Sequence, residues 1–484
     1  MIRFKGAMRR FLLILLFISI ASSVAFGILV NKAQLADWAA ANLPAWLWPT
    51  APPLKADELV ILTLPHAQGM QYKAGEPGRA GWAGFEYDLA ALFAKERGLT
   101  PRVVVLPSRA ALIQALQKGQ GHIAAADIAM TGELRSAFSF GPSYRSIQHV
   151  LIGPDETKIQ SLSEALFKRI TFIANTPAHD LLRELTGPYP GIILEPLPES
   201  ATPEAPLRQI EVGLAEFAVV DAASFAAAKR LHPGLSRFFH VGPTFSIAWM
   251  YAPVASSDLQ HHIALFFERI RGNGALHRLT DRYYGHIERI QPADAEMILE
   301  KIQTVLPQLR PYFHEAQHLS GIDWRTLAAV SYQESHWDAE ATSPTGVRGL
   351  MMLTEETAQR MGVKDRLNPR EAILGGAKYL ALLRDTVPSR IAEPDRTWLA
   401  LAAYNQGYGH LEDARILAQR MGLNPDSWID VRKAYLRMSD PVVYNTLKNG
   451  YCRGDEAVTL VDNIRNYTDI LHKLEQPLGL QPSF

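Results

Sequence analysis

The stretch Ser331-Tyr332-Gln333-Glu334-Ser335-His336-Trp337, followed by Gly346-Val347-Arg348-Gly349-Leu350-Met351-Met352, decides how the C-terminal part of the chain folds. Leu327 and Val330 lie seven and four positions before Glu334, so a helix over 324–335 places all three on one stripe. Asp323 is a natural N-cap ahead of Trp324, and the polar run 335–344 ends the periodicity. The carboxylate of Glu334 then points where the core points, at the negative pole of the helix dipole. Burial and dipole both raise its pKa, which suits a general acid at neutral pH. The alternative is a structural Glu paired with an arginine such as Arg348.

Around this helix the spacing stays helical, over 297–317, 354–361, 369–386, 397–407, 412–421, 427–435, 442–451 and 457–474. An all-α domain is expected from 288 to 484. Upstream the pattern alternates. Strands are expected at 58–64, 102–106 and 122–126 with helices at 87–97 and 108–118. A second set follows, with strands at 170–174, 192–195 and 218–220 and helices at 178–185 and 205–212, closed by an amphipathic helix at 259–271. Two α/β units of parallel type in tandem imply a two-lobed domain over 57–287, with a small-molecule site in the cleft between the lobes.

The total of 484 residues exceeds what one hydrophobic core usually serves. Lys+Arg and Asp+Glu balance at 49 each, which argues against a nucleic-acid binder. Arg3, Lys5, Arg9 and Arg10 precede the uncharged run 11–30, and Ser23-Val24-Ala25 offers a cleavage site. The expectation is a signal peptide over 1–25, with an uncleaved anchor as the alternative. Both place the rest of the chain outside the cytoplasm. Residues 26–56, with Pro44, Pro49, Pro52 and Pro53, read as a proline-rich linker. Cys452 is the only cysteine, which rules out an intramolecular disulfide and a multi-thiolate zinc site, and it reads as structural. No metal-ligand cluster, phosphate loop or nucleotide fingerprint appears, so no cofactor is expected.

Two resemblances organise these observations. Gly84-Phe85-Glu86-Tyr87-Asp88-Leu89, the run from Asp127 through Thr131 to Arg135, and Phe140-Gly141-Pro142-Ser143-Tyr144 resemble the periplasmic solute-binding proteins that capture amino acids. The resemblance implies that Arg135 grips a ligand carboxylate and Asp221 its ammonium, with Thr176 donating a hydroxyl at a helix start. Without it, Arg135 reads as a surface ion-pair residue and Asp221 as the N-cap before Ala222. Farther on, Glu334-Ser335, Gly349-Leu350-Met351-Met352, Ala403-Tyr404-Asn405-Gln406-Gly407 and Val461-Asp462-Asn463-Ile464-Arg465-Asn466-Tyr467 resemble, in this order, the lysozyme-like domain of the soluble-type lytic transglycosylases. The two domains behind an export signal resemble one family in particular, membrane-bound lytic murein transglycosylase F.

That family cleaves the β-1,4 bond between N-acetylmuramic acid and N-acetylglucosamine without water, leaving a 1,6-anhydromuramoyl end. The resemblance implies Glu334 as the single acid/base. Ser335 and Asn405 would bond the sugars, and Tyr467, a core residue by its stripe, would orient Glu334; Tyr404 reads either as a ring that stacks on a sugar or as a packed core residue. Met352 stands where many relatives have Gln, so a polar sugar contact is lost there. Asp338 and Glu340 are the nearby carboxylates a hydrolase would need, and both read as loop or cap residues. The implied partners are peptidoglycan glycan strands and a muropeptide or amino acid at the first domain, with a peripheral place on the periplasmic side of the outer membrane. A hydrolytic muramidase and a non-catalytic wall-binding receptor are the alternatives.

Overall fold

The computed structural model describes residues 57–64, 71–73, 81–199, 201–229, 231–251, 257–285, 292–343 and 346–475. The expected signal peptide and linker lie outside them.

The chain begins with β1 (Glu58–Thr63), the small β2 (Gln71–Lys73) and β3 (Gly81–Ala83) pair, α1 (Phe85–Glu96), β4 (Thr100–Val105), α2 (Arg109–Gln117) and β5 (Ile123–Ala124). After α3 (Gly132–Ala137) and β6 (Ser139–Phe140) it crosses to a second sheet. That sheet is formed by β7 (Arg145–Pro154), β8 (Arg169–Ile173), β9 (Ile193–Leu197), β10 (Phe217–Asp221) and β11 (Leu235–Ile247), with α4 (Pro177–Thr186), α5 (Ala205–Glu211) and α6 (Ala222–Lys229) between strands. The chain then returns as β12 (Met250–Tyr251) and ends this region with α7 (Ser257–Gly272) and α8 (Ala275–Tyr284).

The first sheet has the order β4-β1-β5-β12-β6 and the second β11-β7-β10-β8-β9. The parallel type expected from the alternation holds only in part of each. β4, β1 and β5 run parallel, as do β10, β8 and β9, while β12, β6, β7 and β11 join antiparallel. The long β7 carries no clean alternation because residues of both its faces are buried, while β11 buries only Leu235, Val241 and Ile247 and is interrupted by register shifts. Buried Glu86 at the start of α1 ties the first lobe together: it accepts bonds from the hydroxyl of Tyr144, from Trp249 Nε1 at 3.1 Å and from the Asp127 amide at 3.3 Å.

The helical region comprises α9 (Pro292–Thr304), α10 (Leu306–Ser320), α11 (Trp324–Ser335), α12 (Glu355–Met361), α13 (Pro369–Thr386), α14 (Asp395–Gln406), α15 (Tyr408–Arg420), α16 (Trp428–Tyr435), α17 (Pro441–Tyr444) and α18 (Gly454–Glu475). One contiguous core joins them, from Ile298 through Leu327 and Val330 to Leu471. Two expected helices are corrected. The one at 297–317 is broken at Val305, because Pro307 supplies no amide and starts a new helix. The one at 442–451 is a single turn followed by a loop, in which Gly450 takes a positive φ of 74°.

Candidate functional site

Helix α11 starts where Asp323 accepts the Arg325 amide at 2.8 Å, and it stops at His336, whose φ of 51° is left-handed. Leu327 and Val330 are fully buried, as the stripe requires, and Glu334 continues that stripe to a half-buried position at the helix end. Among the described residues its carboxylate has no hydrogen-bond or ion-pair partner. Arg348 does not pair with it; the Arg348 Nε donates to Thr342 Oγ1 at 3.3 Å. Burial without compensation pushes the Glu334 carboxyl up to about 7.

The loop beside Glu334 is fixed by bonds to its carbonyls. Ser331 Oγ and Ser335 Oγ both donate to the Leu350 carbonyl, at 3.0 and 3.1 Å, and Tyr404 Oη donates to the Met351 carbonyl at 2.7 Å. Gly349 must be glycine: its φ is 76° and an added Cβ would lie 1.8 Å from the Arg366 carbonyl oxygen. Met352 follows, half-buried, with a φ of 43° that a methionine rarely adopts.

The residues expected here from sequence therefore fall into two groups. Glu334 and Tyr404 come together, and Tyr404 also holds the loop that carries Met352; Asn405 follows Tyr404 at the end of α14. Asn405 is exposed, with Oδ1 accepting from Gln406 Nε2 at 2.7 Å. Tyr404 lies close enough to Glu334 that the carboxylate, after burial, helps raise its phenol well above the ordinary value. Ser335 is buried, with its hydroxyl turned to the Ser331 and Leu350 carbonyls. Tyr467 is buried against Tyr332, ring centres 4.8 Å apart, and no hydrogen bond joins it to Glu334 among the described residues. Asp338 and Glu340 are exposed, and Asp338 Oδ1 accepts the Glu340 amide at 3.0 Å. That contact is a turn cap, as the sequence suggested.

A second site lies between the α/β lobes, a cleft of about 230 Å³. Asp221 and Thr176 line it, and Arg135 does not. Arg135 is exposed on the short α3, with its Nη2 at 4.0 Å from the Met130 sulfur. Two guanidinium groups line the cleft instead: that of Arg145, at the start of β7, paired with Asp127, and that of Arg109, at the start of α2, which reaches the Asn175 carbonyl at 3.4 Å. Burial is the largest single influence on the Arg145 pKa and lowers it; Asp127, Tyr284, Asp221 and Tyr144 together outweigh burial and raise it. Three lining residues keep buried polar atoms without partners: Arg145 (Nε and Nη1), His149 (Nδ1) and Asp221 (Oδ1). Asp221 also caps α6, accepting from the Ser224 amide at 2.9 Å and hydroxyl at 2.8 Å, so cap and cleft roles coexist. Thr176 Oγ1 donates to the Ile173 carbonyl at 2.7 Å and keeps lone pairs for the cleft. Sequence reasoning missed Arg145 and His149. The signal was their even spacing on β7, which places both on one face.

Helix α8 joins the α/β cleft to the helical region. At its end the Arg145 guanidinium stands 5.2 Å from the Tyr284 ring centre, and Tyr283 Oη donates to Asp88 at 2.6 Å. From the other side Arg282 reaches Asp395 at 3.1 Å, at the start of α14. Arg465 Nη2 donates to the carbonyls of Asp281 at 2.8 Å and Arg282 at 3.1 Å, while its guanidinium stacks 4.2 Å from the Trp398 ring centre.

Comparison with known proteins agrees with this architecture. Residues 59–286 match the model for bacterial extracellular solute-binding proteins, family 3, and residues 311–424 match the transglycosylase SLT domain. A membrane-bound lytic murein transglycosylase F from Nitrosospira multiformis is 43% identical over 87% of this chain and 87% of its own. One from Thiobacillus denitrificans is 41% identical over 88% of this chain and 90% of its own. With relatives of this identity along nearly the whole chain, the protein belongs to the membrane-bound lytic murein transglycosylase F family.

Proposed function

We infer that Glu334 is the single acid/base of a lytic transglycosylase acting on peptidoglycan, an activity that follows from membership of the family. Protonated, it gives its proton to the glycosidic oxygen as the bond from the muramoyl anomeric carbon breaks. The carboxylate then takes the proton of the muramoyl 6-hydroxyl while that oxygen closes on the same carbon. The proton count balances without water, and the product end is 1,6-anhydromuramoyl. The observation that carries this reading is a half-buried carboxyl, unpaired among the described residues and held up at about 7, close to Tyr404. Asp338, committed to its turn, supports one carboxyl in two roles over a hydrolase pair. Met352 forms part of the cleft wall, and Tyr404, with Ser335, holds the loop that shapes it.

Digestion of purified sacculi followed by mass spectrometry tests the assignment. Anhydro ends are expected from the protein, and a loss of at least a thousandfold in rate from Glu334→Gln. Reducing ends would replace it with a hydrolase, and an active Glu334→Gln variant would remove Glu334 from the chemistry.

The cleft between the lobes is read as a receptor for a zwitterion such as an amino acid or wall peptide, with Arg145 toward the carboxylate and Asp221 toward the ammonium. The unpartnered atoms of these two residues support that reading. Ligand bound there would influence the catalytic region through α8, in proportion to its different affinity for two arrangements of the lobes. No helix among the described residues is long and apolar enough to cross a membrane. A peripheral position on the periplasmic side of the outer membrane is the reading that family membership and the expected export signal support.

A further inference from the structure

Helix α9 lies ahead of the segment that matches the transglycosylase domain, yet one of its faces is turned to the helix that carries Glu334. Asp294, Ile298 and Lys301 fall at i, i+4 and i+7, one stripe of a helix. Ile298 is fully buried in the same core as Leu327 and Val330 of α11. Burial raises the phenols of Tyr332 in α11 and Tyr467 in α18, and the Asp294 carboxylate at one end of the stripe adds to both. At the other end Lys301 Nζ donates to the His336 carbonyl at 2.7 Å.

His336 is the point at which α11 needs holding. His336 and Trp337 both take positive φ, 51° and 58°, a conformation that residues with a Cβ rarely adopt. Two such residues in a row persist only where their neighbours over-determine them. Trp337 is held from the inside, buried, with Nε1 donating to the Ala328 carbonyl at 2.9 Å. His336 is exposed; its amide donates to the Tyr332 carbonyl at 2.7 Å and its own carbonyl accepts from Lys301. The ammonium also stands at the negative pole of α11, where a cation is favourable. Glu334 lies two residues before this hook, in the last turn of the helix. When the hook loosens, that turn frays and the carboxyl meets water.

We propose that Lys301 is a positioning residue for Glu334: by holding the His336 carbonyl it fixes the last turn of α11, and with it the direction and the burial of the acid/base. The proposal rests on the reading of Glu334 as that acid/base. The titratable groups around the carboxyl are Tyr404 of α14 with Tyr379 of α13 against its ring, Tyr467 of α18 against Tyr332, His336 itself, and Lys301 and Asp294 of α9. None of them supplies the shift of Glu334, which burial causes. Removing the Lys301 charge therefore acts on Glu334 through the helix end, and a frayed, better solvated carboxyl returns toward its ordinary, lower value.

The test compares the full-length protein with Lys301→Met and Lys301→Arg on purified sacculi, resolving kcat from KM from about pH 5 to about pH 9. Lys301→Met is expected to lower kcat about fivefold to twentyfold with KM within about twofold. It should also move the alkaline limb of the kcat profile to lower pH, and Lys301→Arg should restore both. Hydrogen exchange reads the hold itself: the amides of residues 333–338 should exchange about tenfold faster in Lys301→Met than in the parent. Unchanged kcat and an unmoved limb in a natively folded Lys301→Met protein would overturn the proposal. So would a loss of kcat that follows the unfolded fraction and leaves the limb in place, or exchange at 333–338 equal to the parent's. A parent that makes no anhydro ends refutes the reading of Glu334 instead, while the exchange rates still report whether Lys301 holds the helix end.

Discussion

Glu334 acquires its chemistry from the point at which its helix stops. One turn earlier it would be sealed beside Val330; one turn later it would be solvated like Asp338. Its carboxyl, held at about 7 by burial, must be protonated to donate a proton to the glycosidic oxygen. The rate on sacculi is therefore expected to fall as pH rises through about 7, and a pH profile unchanged between 6 and 8.5 would contradict it. The same shift predicts a stability effect. A carboxyl whose folded pKa is raised from 4.5 to about 7 binds its proton more tightly when folded, so it weakens the fold progressively as pH climbs across that window. Glu334→Gln should be more stable than the parent by about 2 kcal/mol at pH 8, less than the full shift implies because the group is partly open to water. The gain should vanish at pH 4, and denaturant melts at the two pH values measure it.

Strand register makes the second site. β7 and β10 run antiparallel with His149 opposite Asp221, and Arg145 lies four residues before His149 on the same face. A ligand carboxylate at Arg145 predicts that Arg145→Met weakens binding of a synthetic wall tetrapeptide at least tenfold in calorimetry, while Arg135→Met leaves it unchanged. The reverse pattern would restore Arg135 to the cleft. The strands and helices around these residues were largely legible from their periodicity and turn chemistry. The assignment of the cleft arginine was not. Arg135 and Arg145 are both arginines near a strand end, and only the packing of α3 against the first lobe turns one outward and leaves the other inside.

At the scale of the whole molecule, a buried charge cluster ties the α/β region to the helical one. Arg465 sits between Asp281, at 3.7 Å, and Asp462, at 3.4 Å, with Arg432 3.4 Å from Asp281 on the other side. Burial lowers the Arg465 pKa, but the carboxylates around it oppose that loss. Removing one partner of such a cluster leaves charge without compensation, which typically costs about 3–5 kcal/mol. Arg465→Ala is expected to split the calorimetric unfolding into two transitions, one for each region. A single transition at an unchanged temperature would show that the cluster does not couple them.

The sequence by itself determined the two-region architecture, the boundaries of α11 and the position of Glu334 on its apolar stripe. These follow from local spacing, capping and composition, which act over a few residues. Tertiary structure alone decided that Glu334 has no ion partner among the described residues, that Ser335 serves the loop, that Arg145 faces the cleft, and that Arg465 meets Asp281 across 184 positions of chain. Each of these depends on which long-range neighbours desolvate or compensate a polar group. No local pattern encodes that, because the energy of a buried charge is set by everything packed around it.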